Sequence, residues 1–344
     1  FKLSHMATFP ERAAARRAAL PPSGKTIGTH SGGFQADEAL GCWMLRQLPT
    51  YAQAKIVRSR DKEVLDKCDI VIDVGDIYDP SKLRFDHHQR GFFETLDGDK
   101  EGNGRWKTKL SASGLIYKHF GREIIAQLAE TSPEDTELLW AEHYTQFMEG
   151  IDGKDNGIEM YEGARRYRES SDLSCRIGRM NPRWNETVDD AERDRRFELA
   201  SERCGADFLE ALGELVDGWL TARALVKKAL EERNQVHASG KILVLESGGM
   251  PWKEHLYSLE RELALPGQIM FVLFVDSSGM WRVQAVTVEG TDFQNRLSLP
   301  EPWRGLRNEE LSQKAGIPDC CFVHNAGFIG GHKTFEGALA MADA

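Results

Sequence analysis

The sequence predicts an α/β protein in two parts. A mostly parallel-sheet domain spans residues 22–200, a helical linker 201–237, and a smaller α/β domain 238–344. Three observations predict this. Strand-like and helix-like segments alternate through the first half of the chain, as a parallel sheet requires. The run "DIVIDVGD" is short, apolar and β-branched, like strands buried on both faces. After a long helical stretch at 205–236, three more strand candidates and a last helix follow. A chain of 344 residues also suits two hydrophobic cores better than one.

The opening "FKLSHM" reads as an expression scar before Met6. "ATFPERAAARRAAL" reads either as a frayed basic arm or as the remnant of a mitochondrial presequence. "KTIGTHSGGFQADEALGCWMLRQL" reads as strand, Gly-containing loop and helix, with Asp37 and Glu38 in the first helical turn, where acids are favoured. "AKIVRSR" follows as a strand, "KEVLDKC" as a short helix, "DIVIDVGD" as the buried strand and "LRFDHHQ" as a further strand or turn. Residues 97–109 are polar and Gly-rich and predict a mobile loop. "SASGLIYKHFGREIIAQLAE" has helical apolar spacing behind capping serines. "EDTELLWAEHYTQFMEGIDGKDNGI" is a helix ending in a Gly-broken acidic turn. Beyond the long helix, "KILVLE", "IMFVLFVD" and "WRVQAVTV" are strands, and "GGHKTFEGALAMADA" is a Gly-rich turn opening a helix.

Composition narrows the function classes. Hydrophobic residues make up 41% and charged residues 28%, ordinary for a globular protein. No apolar run approaches the roughly 20 residues that span a bilayer, which excludes an integral membrane protein. The 6 cysteines form no CxxC pair, so neither a zinc ribbon nor a disulfide framework is expected, and a reducing compartment fits. A net charge of -10 argues against a nonspecific polyanion-binding surface. It leaves room for a nucleic-acid enzyme that concentrates positive charge locally.

The chemistry gathers at loops that follow strands. His30 and Asp37 flank the first loop, Asp73 ends the "DIVID" strand, Asp86, His87 and His88 sit in the next loop, and Asp152 and Asp155 lie in "GIDGKDNG". In a parallel sheet such loops share one crevice, so residues far apart in sequence converge. Taken singly, each has a plainer explanation as a turn residue, cap or buried imidazole. Together they predict a site for one or two divalent ions, Mn²⁺ first and Mg²⁺ or Zn²⁺ next, because the ligands are oxygen and imidazole rather than thiolate. Two such ions clamp the attacking and leaving oxygens of a phosphoryl transfer, with Asp73 the natural carboxylate to bridge them. Separately, "GARRYRESSDLSCRIGRMNPR" carries arginines at 165, 166, 168, 176, 179 and 183 against two acids, a local charge reversal suited to phosphate contact. Gly330, Gly331, His332 and Lys333 stand where a helix start would cradle an anion. Trp106, Tyr167, Trp184 and Trp252 are candidates for base stacking.

The motifs "IGTHSGGFQADEAL", "CDIVIDVG", "YDPSKLRFDHHQRGF", "GIDGKDNGI", "LSCRIGRMNPRWNE" and "FVHNAGFIGGHKTFEGALAMA" resemble the melanocyte-proliferating-gene family of the DHH phosphoesterase superfamily, over nearly the whole chain after residue 25. The resemblance implies a DHH domain followed by a smaller substrate-binding domain. It implies a metal-dependent 3′–5′ RNA exonuclease, located in mitochondria and the nucleus and acting on single-stranded 3′ ends. Carried over, His30, Asp37, Asp73, Asp86, His87 and Asp152 are the metal set, with Asp155 an alternative to Asp152. By the same pattern His88, beside Asp73 and Asp37, meets the scissile phosphate or protonates the leaving group. The resemblance also places Gly330, Gly331, His332 and Lys333, with His324 and Asn325 beside them, where relatives hold the terminal nucleotide, and the charge reversal makes Arg176 and Arg179 the expected phosphate contacts. One position departs from the pattern. The family's first motif carries a second histidine where this chain has Gln35, and a neutral amide is a poor transition-metal ligand. Whether the change is natural or introduced, it predicts a weakened metal site. Two other functions remain open: a phosphoesterase acting on dinucleotides or other small phosphates, and a non-catalytic RNA-binding protein that keeps the fold. The sequence leaves the oligomeric state undetermined.

Overall fold

A computed structural model describes residues 7–98 and 104–344; the predicted scar at 1–6 and the centre of the predicted mobile loop lie outside them. The chain divides into two units, Phe1–Asp217 and Gly218–Ala344.

In the first unit β1 (Thr26–Thr29), β2 (Lys55–Arg58), β3 (Ile70–Ile72), β4 (Tyr78–Asp79) and β5 (Arg84–Phe85) form one sheet in the order β2-β1-β3-β5-β4. β1 runs parallel to β2 and β3, and β3 parallel to β5; only the edge strand β4 is antiparallel. Ile27, Ile70, Val71, Ile72 and Phe85 are all buried, which is why these strands read as short apolar runs without alternation. The parallel register has one consequence for everything below. β1, β3 and β5 end at the same edge, and the next residues are His30, Asp73 and Asp86.

Alternation of strand and helix stops after β5. The rest of this unit is helical: α1 (Phe9–Ala18) precedes the sheet, α2 (Ala36–Leu45) and α3 (Lys62–Leu65) lie within it in sequence, and α4 (Ala112–Ala129), α5 (Pro133–His143), α6 (Glu149–Asp155), α7 (Leu173–Gly178) and α8 (Asp190–Glu214) follow. All ten residues of α2 are buried, because α4 and α8 pack on it and β3 lies beside it. The predicted linker over 201–237 is therefore not a free connector. Its first half is the end of α8, held in the first unit, and a π-helical turn at Leu215–Trp219 leads into α9 (Leu220–Val236) of the second.

The second unit holds β6 (Ile242–Val244), β7 (Phe271–Val275), β8 (Trp281–Ala285), β9 (Cys320–Val323) and β10 (Ile329–His332) in the order β6-β7-β8-β10-β9, with α10 (Trp252–Glu262), α11 (Asn308–Ala315) and α12 (Phe335–Asp343). Only β6 and β7 pair in parallel. Period two sorts the side chains. Phe271 and Leu273 join a core with Leu311 and Met341, while Val272 and Phe274 join one with Leu230 and Leu256. Helices thus cover both faces.

The predicted Gly-rich turn before the last helix is instead the inner strand β10. Gly330 and Gly331 are paired on both sides, so their backbone groups belong to the sheet rather than to an anion. A Cβ on Gly331 would lie 2.5 Å from Arg282 and 2.7 Å from the Phe322 ring, so close packing demands glycine there.

Candidate metal centre

β1 delivers His30, and the loop after it turns into α2, whose first turn supplies Asp37 and Glu38. The backbone N–H of Gln35, the N-cap, is taken by the Glu38 carboxylate at 2.8 and 3.1 Å. The loop itself is clamped from outside. Asn181 accepts from the Phe34 N–H at 2.9 Å and donates to the Phe34 carbonyl at 2.7 Å, and Arg58, set against the Phe34 and Phe197 rings, donates to the Gly32 carbonyl at 2.8 Å. Asp73 leaves β3 in the left-handed region at φ 58°, a conformation aspartate tolerates better than most residues.

Asp73 is the hub. Its Oδ2 lies 3.3 Å from His30 Nε2, and its Oδ1 lies 3.3 Å from His87 Nε2 and 3.6 Å from His88 Nδ1. Glu38 Oε1 is 3.1 Å from His30 Nε2, and Asp155 Oδ2 is 3.4 Å from His87 Nε2. Ligand atoms gather in three overlapping groups, each within 4.8 Å: His30 with Glu38 and Asp73; Asp73 with His87 and His88; Asp37 with His87 and Asp155.

The electrostatics match this crowding. Burial opposes charge on His30, but Asp73 and Glu38 outweigh it and push the imidazole up to about 10. Burial also opposes charge on His87, and Asp73 and Asp155 again raise it. Asp73 is held below the usual carboxylate range, His30 and His87 outweighing its burial. Asp37 is pushed far up by burial and then by Asp73, Asp155 and Glu38. Both Asp37 oxygens, Asp73 Oδ1 and His87 Nδ1 are buried without a hydrogen-bond partner. Buried polar atoms rarely stay unpaired. Unpartnered carboxylate oxygens beside imidazoles are what a divalent cation satisfies, so the donor set fits one.

Two residues of the predicted ligand set have other work. Asp152 is buried, and its Oδ1 accepts from the Ser111 N–H (3.0 Å) and hydroxyl (2.7 Å) while its Oδ2 accepts from the Tyr144 hydroxyl (2.8 Å). With both oxygens satisfied, it anchors α6 to the start of α4. Burial pushes its pKa up to about 7 despite those bonds. A Cβ on Gly114 would fall 2.4 Å from its oxygens, which reserves that position for glycine. One turn on, Asp155 takes the place assigned to Asp152. Asp86 likewise spends its carboxylate on protein groups: Oδ2 accepts from the Asp76 N–H at 2.7 Å, and Oδ1 faces His88 Nδ1 at 2.7 Å. It orients His88, which is exposed on the cleft. Glu38, Tyr144, Ser111 and Asn181 were not expected from sequence. The only signal for Glu38 was an acid three residues after an N-cap, which reads as helix capping alone.

Gln35 stands exposed on the cleft wall, which it shares with His30, Asp73 and His88. Among the predicted substrate residues, Arg176 is committed to Asp207. Arg179 is exposed and donates to the Ser170 carbonyl at 2.7 Å. In the second unit His332 is buried. Its Nε2 meets the Pro318 carbonyl at 2.7 Å and its Nδ1 accepts from the Thr334 N–H at 3.0 Å, so it braces the chain rather than facing a ligand. Lys333 pairs with Asp319 at 2.6 Å. His324 and Asn325 are exposed. Trp106 and Trp252 are core, whereas Tyr167 and Trp184 are 76% and 97% exposed. All six cysteines are free, and among the described residues no helix is long and apolar enough to cross a membrane.

Fold and site together define an α/β protein built around a divalent-cation centre at the carboxyl ends of parallel strands. A family model described as "Uncharacterised protein family (UPF0160)" matches residues 26–344, and the chain belongs to that family, the one its motifs resemble. Relatives named "MYG1 exonuclease" from Bos taurus and Homo sapiens are each 50% identical, covering 100% and 97% of this chain and 89% and 88% of their own length. A Saccharomyces cerevisiae relative, "MYG1 protein YER156C", is 49% identical over 92% of this chain and 94% of its own. A solved structure of exonuclease RecJ bound to manganese aligns over 100% of this chain and 95% of that one at 16% identity, with a TM-score of 0.24, too loose a superposition to bear on the site.

Proposed function

We propose that this protein is a metal-dependent phosphodiesterase that removes nucleotides from the 3′ end of single-stranded RNA. The observation that carries the reading is the chain of three ligand groups, two linked through Asp73 and two through His87, with Asp37 in the last of them buried and unpartnered. The exonuclease names of close relatives support it. One or two divalent ions, Mn²⁺ or Mg²⁺, would be held by His30, Asp37, Glu38, Asp73, His87 and Asp155. Bound there, such ions polarise phosphate oxygens and acidify water, which is the chemistry phosphodiester hydrolysis needs. The chain's own groups do the rest. Asp86 fixes His88 through Nδ1 and leaves its Nε2 for a phosphate oxygen or the leaving oxygen. Arg179, Arg183, Tyr167 and Trp184, exposed on the Arg-rich segment, offer cations and stacking faces to a strand. The second unit offers exposed polar groups of its own at His324 and Asn325. RNA over DNA, 3′ polarity, and a place in mitochondria and the nucleus rest on the family resemblance alone.

In this reading Gln35 impairs the chain, since an amide replaces an imidazole on the cleft wall. The test uses a 5′-labelled twenty-nucleotide RNA with Mn²⁺ or EDTA, in this chain and in Gln35→His. The expected result is an Mn²⁺-dependent ladder shortened from the 3′ end, stronger in Gln35→His. Hydrolysis of dinucleotides with the long RNA left whole would replace the exonuclease reading with a small-substrate one. Absence of Mn²⁺ binding by both proteins would leave a non-catalytic RNA-binding role.

A further inference from the structure

The cleft over the metal centre measures about 790 Å³, and His30, Asp73, Asp86 and His88 line it together with three cations, Arg60, Lys62 and Arg84. Two of the three are committed. Lys62 pairs with Asp66 at 2.5 Å. Arg84 turns onto the carbonyls of Lys82, Leu83 and Cys68 at 3.2, 3.2 and 3.4 Å. Arg60 differs. It is exposed and makes one hydrogen bond, from Nε to the Ser31 carbonyl at 3.3 Å; its Nη2 lies 3.3 Å from His30 Nδ1, which carries a proton when His30 is charged or holds a metal through Nε2 and so accepts nothing. Among the described residues no carboxylate pairs with it, although Asp66, Asp73, Asp76 and Asp86 line the same cleft. A guanidinium has five N–H donors, so most remain unspent. A cation beside a metal-holding cluster opposes the metal unless an anion shares both charges. Its planar fork suits the paired oxygens of a phosphate.

Resting on the phosphodiesterase reading, we propose that Arg60 grips the phosphate group of a nucleotide substrate at the wall of the metal cleft. The Ser31 carbonyl aims the fork, so the phosphate meets it next to the loop that carries the first metal ligand. Arg60 is then a substrate-binding residue, distinct from those that hold the ions.

Calorimetric titration tests this with two probes, Mn²⁺ alone and AMP in the presence of Mn²⁺, on this chain, Arg60→Ala and Arg60→Lys. Because Arg60 is exposed, both variants should fold, which thermal melts check. AMP affinity is expected to fall about 10- to 100-fold in Arg60→Ala and less in Arg60→Lys, which keeps the charge and loses the fork, with Mn²⁺ affinity unchanged or tighter. AMP affinity within twofold of the parent in Arg60→Ala overturns the proposal, as does a parent that binds Mn²⁺ but no AMP. A parallel loss of Mn²⁺ affinity also overturns it, making Arg60 a positioning residue for His30. The two readings fail separately. If RNA is never shortened yet AMP binding depends on Arg60, the exonuclease reading is lost and the phosphate site stands. If RNA is shortened while Arg60→Ala changes neither AMP affinity nor KM, only the present proposal is lost.

Discussion

Asp37 is the residue whose burial the fold alone does not repay. Both its oxygens lack partners, and three other acids face it. With no cation bound, it must keep a proton or leave a charge uncompensated. Asp37→Asn should therefore stabilise the metal-free protein by about 1 kcal/mol while removing the stabilisation that Mn²⁺ gives the parent. Melts in EDTA and in Mn²⁺ check both halves; a lower Tm for the variant in EDTA would show that the carboxylate helps folding. The same scale shows how far a sequence can be read. The "GIDGKDNG" stretch offered Asp152 and Asp155 three residues apart, on one helical face. Nothing local distinguishes them, since Ser111 and Tyr144, which consume Asp152, come from other parts of the chain.

At the level of elements, the site depends on how α2 is seated. The helix carries Asp37 and Glu38 at one end and is buried throughout, so any shift of its neighbours reaches the ligands. Gly205 on α8 is the tightest point: a Cβ there would lie 2.0 Å from the Trp43 indole of α2. Gly205→Ala should cost about 1–3 kcal/mol through overpacking. Gly178→Ala, in a helix with nothing within 4 Å, should be neutral or slightly stabilising. Differential scanning fluorimetry separates them, and equal Tm values would mean that the α2–α8 contact yields easily. Strands buried on both faces were legible because their apolar runs need no partner to be recognised. The Gly330–Gly331 strand was not, since glycine reads as a turn until Arg282 and Phe322 are seen to exclude any side chain.

For the whole molecule, stability should depend on pH through a histidine away from the metal set. His143 is fully buried, its Nε2 3.3 Å from the Phe208 carbonyl, and burial pushes its pKa down to about 3. The unfolded chain takes up a proton near 6.5. The unfolded state therefore binds the proton first as pH falls, and the stability present above 6.5 is lost progressively towards 3. At pH 5 the loss from this group is about 2 kcal/mol. His143→Phe, among Tyr117, Phe147 and Phe208, should show a smaller drop in Tm between pH 7 and 5 than the parent. Parallel pH profiles for the two proteins would discount the buried imidazole as the cause.

Sequence by itself determined the α/β class, the strand-end positions of His30, Asp73 and Asp86, and the family, because short buried strands and long motifs are written in contiguous residues. Tertiary structure alone decided which carboxylates are left over for a cation. That choice depends on which donors from distant segments reach each oxygen first: Ser111 and Tyr144 at Asp152, Asp76 and His88 at Asp86, none at Asp37.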